Sequence, residues 1–484
     1  MAEKLARATD EPRAARRADV AIIGAGTAGL AAFRAAEAHG ARAVLIEGGE
    51  YGTTCARVGC MPSKLLISAA DAAHAAREAA GFGVRTTVHV DAGRVMERVH
   101  RERDRFVGLV VEGVEAIPAE RRLRGYARFV APGVLVVDQG DAATRVDART
   151  VVLATGSSST MPAVLEGVRD RVVMSEDVLA WDTFPASAAV FGAGAIGLEL
   201  GQALSRLGVR VHVFGHGGAV GQLTDPMVRA AAVAALRREI AIDVNAKVHA
   251  VRPEGDGVEV RFEDDAGEAG VERFAVCLAA TGRAPNLDRL ALDRADLALD
   301  RRGVPAYDRD TMQCEARSGA GARAKAPVFL AGDIDQDSPV LHEAADEGKI
   351  AGENAARYPD VRPAVRSSPL TIVFTDPQIA AVGASYDELP REALVGEVDF
   401  GDQGRSRVML QNRGALRVYA TPERFLGAEM AAPRAEHLGH LLAWAHQQRM
   451  TVQQMLAMAF YHPVVEEGLR TALRDVDAKL KAAG

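Results

Sequence analysis

Residues Ala18–Glu50 read ADVAIIGAGTAGLAAFRAAEAHGARAVLIEGGE. An apolar run is followed by a glycine-rich turn, an alanine-rich helical pattern and a second apolar run that ends at Glu47. Uninterrupted apolar strands are typical of a parallel sheet that is buried on both faces. The stretch therefore predicts a strand–turn–helix–strand unit of the α/β class.

The turn carries glycines at Gly24, Gly26 and Gly29, which is the spacing of a dinucleotide-binding motif. Such glycines allow a tight turn, a close approach of the backbone to a pyrophosphate and close helix packing. The helix N-terminus faces the phosphates, and an acid at the end of the second strand binds ribose hydroxyls. Because strand, helix and acid are all in place, we predict a nucleotide site with Glu47 at the ribose; a chance glycine turn is the alternative.

The same unit recurs in Ala186–Gly218, ASAAVFGAGAIGLELGQALSRLGVRVHVFGHGG. Gly192, Gly194 and Gly197 stand in the same frame, but the position that corresponds to the acid of the first unit is Gly215. Two units of this kind predict two dinucleotides, one held permanently and one that exchanges.

Two further stretches favour a flavin as the permanent dinucleotide, VVLATGSSS (151–159) and VFLAGDIDQ (328–336), and CLAATGRAPN (277–286) has the same form and closes the second nucleotide unit. Each is an apolar strand that ends in small residues, and Asp333 is placed to accept hydrogen bonds from a polyol chain. The alternative is that each is only a buried strand with a tight turn. We also assign small residues of these turns to cofactor binding, namely Thr155, Gly156 and Gly282.

The composition is that of an ordinary globular protein. The chain has 484 residues, of which 48% are hydrophobic and 25% charged. A net charge of -7 and 5% aromatic residues give no reason to expect nucleic acid or a membrane surface as a partner. Four cysteines cannot form a disulfide framework, so we expect a cytoplasmic protein. Residues 1–20 have no secretory pattern and are expected to form a short disordered lead.

Two of the four cysteines, Cys55 and Cys60, lie close together in GTTCARVGCMPSK (52–64). In a regular helix, residues five apart have Cα atoms about 8–9 Å apart, whereas a disulfide needs roughly 4.4–6.8 Å. Gly59 permits a distortion, and Pro62 fits best near the start of the regular helix. The spacing favours a redox pair. The alternatives are two unrelated buried thiols or half of a zinc site, although the remaining cysteines offer no second pair and no metal is expected.

Taken together, GTTCARVGCMPSK, the two glycine motifs, ATGRAPN and FLAGD resemble the pyridine nucleotide–disulfide oxidoreductases. The resemblance runs from about Asp19 to Leu480. Within the family it is strongest to bacterial dihydrolipoyl dehydrogenases, through HEAADEGKIAGENAA, FTDPQIAAVG and FYHPVVEEGLRTALRD. It implies two Rossmann-like dinucleotide-binding domains and an α+β C-terminal dimerisation domain. The implied boundaries are 1–160 with 291–365 for FAD, 161–290 for NAD(P) and 366–484 for the interface.

The resemblance also implies roles for single residues. Cys60 would lie against the flavin as the charge-transfer thiolate, and Cys55 would exchange with the substrate. Lys64 would pair with Glu199 near the flavin and the nicotinamide. Thr54, Glu47 and Asp333 would contribute to FAD binding.

The stretch FYHPVVEEGLR contains His462, Pro463, Glu466 and Glu467. Proline suits the first turn of a helix, and the two acids of that turn can reach back to orient the imidazole. From the residues alone, an ordinary helix start with a surface histidine is the alternative. The resemblance implies that His462 and Glu467 are the acid/base pair, which the family supplies from the other subunit of a homodimer.

The implied reaction is oxidation of dihydrolipoamide by NAD+ through the Cys55–Cys60 disulfide, with a 2-oxoacid dehydrogenase core as a further partner. The alternative is NADPH-dependent reduction of another small disulfide, such as glutathione. A protein that merely keeps FAD would leave His462 and the cysteines unexplained.

Four features depart from the family pattern or fall outside it. Thr53 replaces a glycine that is common before TC, a mild change beside the pyrophosphate. Gly215 replaces the acid of NAD-dependent members, and the next residue is His216 rather than the arginine of NADP-dependent members. We favour NAD, with NADP as the alternative. Residues 315–327 resemble a surface insertion, to which we assign no function.

Overall fold

The computed structural model describes residues 14–317, 324–337 and 339–483. Within these ranges, each glycine motif lies between a strand and a helix, and residues 122–159 and 241–330 each hold a run of strands with no α-helix between them. Antiparallel strands and helices make up the last quarter of the chain. The strands are β1 (Ala14–Ile23), β2 (Ala43–Glu47), β3 (Arg122–Arg124), β4 (Tyr126–Ala131), β5 (Val134–Asp138), β6 (Ala143–Leu153), β7 (Ser157–Ser159), β8 (Val172–Met174), β9 (Ser187–Phe191), β10 (Arg210–Phe214), β11 (Ala241–Asp243), β12 (Lys247–Glu254), β13 (Gly257–Glu263), β14 (Ala269–Phe274), β15 (Val276–Ala279), β16 (Arg283–Pro285), β17 (Gln313–Glu315), β18 (Lys325–Leu330), β19 (Leu370–Val373), β20 (Gln378–Gly383), β21 (Leu394–Asp399), β22 (Ala415–Ala420) and β23 (Phe425–Ala432).

The alanine-rich stretch after the first glycine turn forms a helix, as predicted. The α-helices are α1 (Thr27–Ala38), α2 (Thr54–Val58), α3 (Cys60–Glu78), α4 (Ala92–Glu115), α5 (Ser175–Val178), α6 (Ala195–Arg206), α7 (Pro226–Leu236), α8 (Leu341–Arg357), α9 (Gly404–Val408), α10 (Ala435–Gln447), α11 (Val452–Leu456) and α12 (Glu466–Ala483). Among the described helices, none has a stretch long and apolar enough to cross a lipid bilayer.

One compact unit consists of the described residues within Met1–Met61, Glu102–Ser158 and Arg283–Ser367. Its main sheet has the strand order β17-β18-β6-β1-β2-β3, and in addition β5 pairs with β6 and β4 pairs with β5. Strand β1 pairs in parallel with β2 and with β6. Its last four residues, Val20–Ile23, are buried, as expected for a strand with covered faces.

The other compact unit consists of Pro62–Arg101, Ser159–Gly282 and the described residues within Ser368–Gly484. It contains a parallel sheet of order β11-β10-β9-β15-β8 and an antiparallel sheet of order β12-β13-β14. It also contains the C-terminal antiparallel sheet of order β19-β20-β23-β22-β21, against which α10 and α12 pack.

The predicted fold class is confirmed, because both glycine motifs stand in parallel α/β sheets and an α+β region follows them. The boundaries of the three domains stay a prediction.

The structure changes the expectations for two segments of the chain. Strand β1 begins at Ala14, since this end pairs with β6, so the lead is shorter than residues 1–20. Strand β18 begins at Lys325, so the end of the 315–327 segment belongs to a strand. Residues 1–13 and 318–323 lie outside the described residues.

Helices α1 and α8 pack with their backbones in close approach, because α8 presents glycines to α1. A Cβ added at Gly348 would overlap the carbonyl oxygen of Ala28, and one added at Gly352 would overlap that of Ala32. Both obstacles are backbone atoms, which cannot rotate away as a side-chain end can. The covering of the first sheet therefore requires glycine at both positions.

This packing predicts that replacing glycine by alanine has opposite effects on stability at two helical positions, Gly352 and Gly113. Gly352→Ala should destabilise the protein by about 1–3 kcal/mol, because the two helices must move apart. Gly113→Ala, on the exposed side of α4 with open space around its Cβ, should be neutral or stabilise by about 0.5–1 kcal/mol through helix propensity. Urea unfolding of both variants checks the pair, and equal effects would contradict the close approach.

Candidate functional site

The first glycine turn is built from backbone packed on backbone. Gly24 has φ +111°, and a Cβ there would overlap the carbonyl oxygen of Ala154. A Cβ on Gly29 would overlap the carbonyl oxygen of Gly24. At Gly26, in contrast, a Cβ would meet nothing within 4 Å. The first and third glycines of the turn therefore leave no room for a side chain, whereas the middle glycine does.

The second turn repeats this geometry. Gly192 has φ +112°, and a Cβ there would overlap the carbonyl oxygen of Ala280. A Cβ on Gly197 would overlap the carbonyl oxygen of Gly192, while Gly194 has nothing within 4 Å. The two glycine turns thus have the same geometry, as the sequence predicted.

Glu47 lies at the end of β2, beside the first turn. Its Oε2 accepts a hydrogen bond from the backbone N–H of Ala25 at 2.7 Å, and its Oε1 accepts one from that of Gly49 at 2.7 Å. The carboxylate is thus fixed by the turn itself, at the position where the sequence places the ribose-binding acid.

The corresponding position of the second unit, Gly215, is closed to any side chain. A Cβ there would stand 2.7 Å from the carbonyl oxygen of Val244 and 2.8 Å from its Cα. The backbone N–H of Gly215 donates to Asp243 O at 2.7 Å, and that of Gly217 donates to Asn245 Oδ1 at 3.1 Å. The glycine stretch is a turn held by hydrogen bonds, and the missing acid has a steric reason that the sequence did not reveal.

The predicted polyol-binding residue, Asp333, follows β18 in the first unit. Its Oδ2 accepts a hydrogen bond from the hydroxyl of Ser157 at 3.0 Å, and Arg283 Nε donates to that hydroxyl oxygen at 2.8 Å. Sequence reasoning gave Ser157 and Arg283 no role, because each was read only as part of a strand-ending motif.

The other small residues assigned to cofactor binding lie in turns. Thr155 Oγ1 donates to Asn286 O at 2.8 Å, and the backbone N–H of Asn286 donates to Gly156 O at 3.0 Å. In the second unit, Gly282 has φ +131° and an open Cβ position. Thr54 is the first residue of α2.

The two neighbouring cysteines lie on different helices. Cys55 is in α2, which ends at Val58, and Cys60 is the first residue of α3. Gly59 between them has φ −130° and ψ −118°, and a Cβ on it would stand 3.3 Å from Cys55 Cα. The predicted distortion at Gly59 is present, and Pro62 is the third residue of α3, near its start as expected.

Accessibility separates the cysteines into two classes. Cys55 is half-buried and Cys60 is exposed, whereas Cys277 and Cys314 are buried. Burial raises the pKa of Cys277 to about 12, and it also raises the pKa of Cys314. A thiolate is the reactive form, so the two buried cysteines are inert and thiol chemistry is confined to Cys55 and Cys60.

Lys64 and Glu199 form the ion pair that the resemblance implies. Lys64 Nζ lies 2.7 Å from Glu199 Oε2, and the Glu199 side chain is only 7% exposed. Glu199 Oε1 accepts from the backbone N–H of Phe374 at 2.9 Å, and Lys64 Nζ lies 4.8 Å from the centre of the Phe374 ring. Both carboxylate oxygens are therefore used, and the lysine is held on two sides.

His462 and Glu467 are also brought together. His462 Nδ1 lies 3.1 Å and 3.0 Å from the two carboxylate oxygens of Glu467, and this hydrogen bond lowers the pKa of Glu467. The His462 side chain is 81% exposed, with Nε2 left for another partner. Helix α12 begins only at Glu466, so Pro463 precedes the helix and does not lie in its first turn as expected.

An ion-pair cluster in the second unit was missed, because its members are far apart in sequence. The buried guanidinium of Arg206 contacts Asp71 at 2.6 Å, Glu239 at 2.8 Å and Asp376 at 2.9 Å. His74, Glu239 and Asp376 are close enough to act together as metal ligands. Since Glu239 and Asp376 already pair with two arginines, Arg206 and Arg413, we interpret the cluster as a structural cross-link.

Comparison with known proteins identifies the family. A family model for pyridine nucleotide-disulphide oxidoreductases matches residues 18–348, and a model of the dimerisation domain of these enzymes matches residues 370–473. The chain belongs to the pyridine nucleotide-disulphide oxidoreductase family, as the motifs indicated. The family implies FAD and a nicotinamide dinucleotide as cofactors and a homodimer as the assembly.

The similar proteins carry different names. Dihydrolipoyl dehydrogenase 3 of Pseudomonas aeruginosa is 31% identical, over 95% of this chain and 98% of that protein. A mercuric reductase of Shigella flexneri is 32% identical, over 96% of this chain and 81% of that protein. The solved structure of the HOCl-induced flavoprotein disulfide reductase RclA from Escherichia coli matches with a TM-score of 0.77 at 20% identity, over 95% of this chain and 99% of that one. This last likeness supports the fold.

The residues present fit two dinucleotides. Gly26 and Gly194 are the N-cap residues of α1 and α6, and neither helix start has a side-chain cap or an acid in its first turn. Free backbone N–H groups and the positive end of the helix dipole remain for phosphate oxygens. The open Cβ positions at both glycines leave room for those oxygens.

Gly26→Ala should separate cofactor binding from folding. Gly26 has φ −75°, which alanine adopts freely, so the flavin-free protein should unfold in urea as the parent does. The added methyl group fills the space for the pyrophosphate, and the FAD dissociation constant should rise at least about tenfold. Gly24→Ala is the control, since its backbone overlap should destabilise the flavin-free protein as well. Normal FAD affinity in Gly26→Ala would contradict this assignment.

Thr53 provides a test of local strain beside the cysteines. It has φ +56°, which is unfavourable for threonine, but its side chain caps α2 by accepting from the backbone N–H of Ala56 at 3.2 Å. Thr53→Gly should relieve the strain and stabilise the protein by about 1 kcal/mol, since glycine is nearly as good a cap. Thr53→Ala keeps the strain and loses the cap, so it should destabilise by about 1 kcal/mol. Thermal unfolding of both variants measures the two changes in stability. If both changes have the same sign, either the backbone strain or the cap at Thr53 does not contribute.

Proposed function

We propose that this chain moves electrons between a small dithiol and a nicotinamide dinucleotide through FAD and a redox pair formed by Cys55 and Cys60. The favoured reaction is oxidation of dihydrolipoamide to lipoamide with NAD+. One observation carries the proposal. Among the described cysteines, only Cys55 and Cys60, at the break between α2 and α3, are both accessible and neighbours in the chain.

The protein supplies the proton transfer and the thiol exchange. His462 uses Nε2 to take a proton from a substrate thiol, while Glu467 on Nδ1 orients the ring and stabilises the imidazolium. The thiolate attacks the Cys55 sulfur of the oxidised pair and releases Cys60 as a thiolate. The second substrate thiol attacks the mixed disulfide, which leaves cyclic lipoamide and the reduced Cys55 thiol. Two electrons have then passed from the substrate to the cysteine pair.

FAD, when bound, would accept this electron pair from Cys60 and pass a hydride to the nicotinamide. We assign Lys64, held by Glu199, to the flavin and nicotinamide side of Cys60. The lysine lies four residues after Cys60 on α3, and residues four apart share a face of a helix. Run in reverse, the same groups reduce a disulfide with a reduced nicotinamide, so the direction depends on the substrates.

Dihydrolipoamide is favoured because the likeness to dihydrolipoyl dehydrogenases covers almost the whole chain and the His462–Glu467 pair is in place for thiol deprotonation. NADPH-dependent reduction of another disulfide is the second candidate. It is supported by Gly215, where no acid repels a 2′-phosphate. NAD remains the favoured nucleotide, and we expect only a modest preference, since the Val244 backbone closes the position that usually selects it.

We further propose that His462 serves the cysteines of the other subunit of the homodimer. Exposed apolar side chains on and after α10 support an interface in this region: Leu441, Trp444, Met458 and Tyr461. We also propose that a 2-oxoacid dehydrogenase core is a docking partner and that the protein is cytoplasmic. The three domain boundaries given above are part of the same proposal.

The first experiment is steady-state oxidation of dihydrolipoamide by the flavin-loaded protein with NAD+ and NADP+ in parallel. We expect turnover with NAD+ and weaker turnover with NADP+. No turnover with either nucleotide, together with reduction of other disulfides by NADPH, would replace the favoured reaction with the second candidate. Cys60→Ser should abolish turnover in either case, and full activity of that variant would remove the redox pair from the mechanism.

Mixed dimers test the sharing of His462. His462→Gln should lower turnover by about 10²–10⁴-fold, the usual contribution of an acid/base group, and Glu467→Gln should lower it less. Dimers that combine one Cys60→Ser subunit with one His462→Gln subunit should regain about half of the parental activity, because one of the two sites then has both groups intact. Inactive mixed dimers would place His462 and the cysteines of one site on the same subunit.

A further inference from the structure

The turn that carries Asp333 is held from inside the first unit by a buried carboxylate. Gly332 has φ +80°, and its backbone N–H donates to Glu347 Oε2 at 2.8 Å. Glu347 belongs to α8 and is only 1% exposed. The position of Asp333, which the proposed function assigns to the ribityl chain of FAD, therefore depends on Glu347 as well as on Ser157.

Glu347 is hydrogen-bonded to a second buried carboxyl group, that of Asp335, which is 3% exposed. A carboxylate has only acceptors, so a hydrogen bond between two carboxyl groups requires a proton on one of them. Asp335 follows Gly332 in the same turn, and its backbone N–H donates to Gly332 O at 3.0 Å. The turn and the carboxyl pair form one hydrogen-bonded structure.

The charges around the pair also require a proton. Arg366 lies 2.6 Å from Glu347 and 2.7 Å from Glu343, which is buried as well. Arg366 thus pairs with two buried carboxyl groups, Glu343 and Glu347, while Asp335 adds a third buried carboxyl group beside Glu347.

On the other side, the hydroxyl of Tyr307 lies 3.1 Å from Asp335 and 2.6 Å from Asp337. Arg309 pairs with Asp337 at 3.0 Å. Burial raises the pKa of Asp335, and it raises the pKa of Glu347 to about 7. Ionising both Asp335 and Glu347 would place two negative charges side by side in a buried site, which is strongly unfavourable.

We propose that Glu347 and Asp335 share one proton and act as a positioning pair, which holds the Gly332–Asp333 turn in the form that retains FAD. This inference rests on the proposed flavin site at Asp333, and it adds a requirement for a buried proton. A carboxyl group with a raised pKa favours the structure at low pH and loses that effect as the pH rises through the raised value. FAD retention should therefore weaken between about pH 6 and about pH 8.

The test follows FAD release from the holoenzyme. Diluted holoenzyme is equilibrated across this pH range, and free FAD is separated by ultrafiltration and quantified. The parental FAD dissociation constant should rise by about tenfold from the acid to the alkaline end, the change expected when about one proton is lost.

Two conservative variants isolate the shared proton. Glu347→Gln and Asp335→Asn each supply a neutral amide that donates to the remaining partner, so both should bind FAD with little dependence on pH. Asp310→Asn, a change of the same kind at an exposed acid away from the pair, should keep the parental pH dependence. Circular dichroism of each variant at both ends of the range confirms that the fold is retained.

The outcomes are distinct. Parental pH dependence in both amide variants, or none in the parental protein, would overturn the shared proton. A protein that binds no FAD at any pH would instead overturn the proposed function. Loss of dihydrolipoamide turnover alone would leave the pair in place, because FAD retention is measured without turnover.

Discussion

The structure depends on one steric constraint, the packing of backbone against backbone at its two glycine turns. In each turn a carbonyl oxygen, from Ala154 or from Ala280, stands where the side chain of the first glycine would be. The third glycine is closed by the carbonyl of the first. This packing brings a helix N-terminus to the end of a parallel strand, where the middle glycine leaves space for phosphate oxygens. The fold and the cofactor site therefore follow from the same close contacts.

The features that the sequence predicted well are those encoded by short motifs. The glycine spacing predicted both turns, and Gly59 predicted the break between the cysteines. The contacts of Lys64 with Glu199 and of His462 with Glu467 were expected from the family resemblance, and the side chains do meet. The 135 residues that separate Lys64 from Glu199 show that motif order, and not local spacing, carried that prediction.

The features that could not be predicted depend on packing between distant segments. Nothing in GHGG indicates that the backbone of Val244 closes the space beside Gly215. The substitution at Thr53 was read as mild, and only the backbone angle shows that it combines strain with a helix cap. The carboxyl pair of Asp335 and Glu347 joins a loop to a helix, and a buried acid looks like a solvated one when only the sequence is known. Burial and approach distances are properties of the assembled core.

The two dinucleotide turns are alike, yet they are secured differently at the position that meets the ribose. In the first, the carboxylate of Glu47 accepts the backbone N–H groups of Ala25 and Gly49, so the side chain that we propose to bind the ribose also stabilises the fold. In the second, the corresponding position is Gly215, whose turn is held by the backbone of Asp243 and Val244 and by the side chain of Asn245, and Gly215 has no side chain to offer a ligand. A ligand that completes a structural network leaves slowly, whereas one that meets only backbone and exposed side chains leaves readily. This difference fits the proposed division of labour, in which FAD is retained and the nicotinamide dinucleotide exchanges.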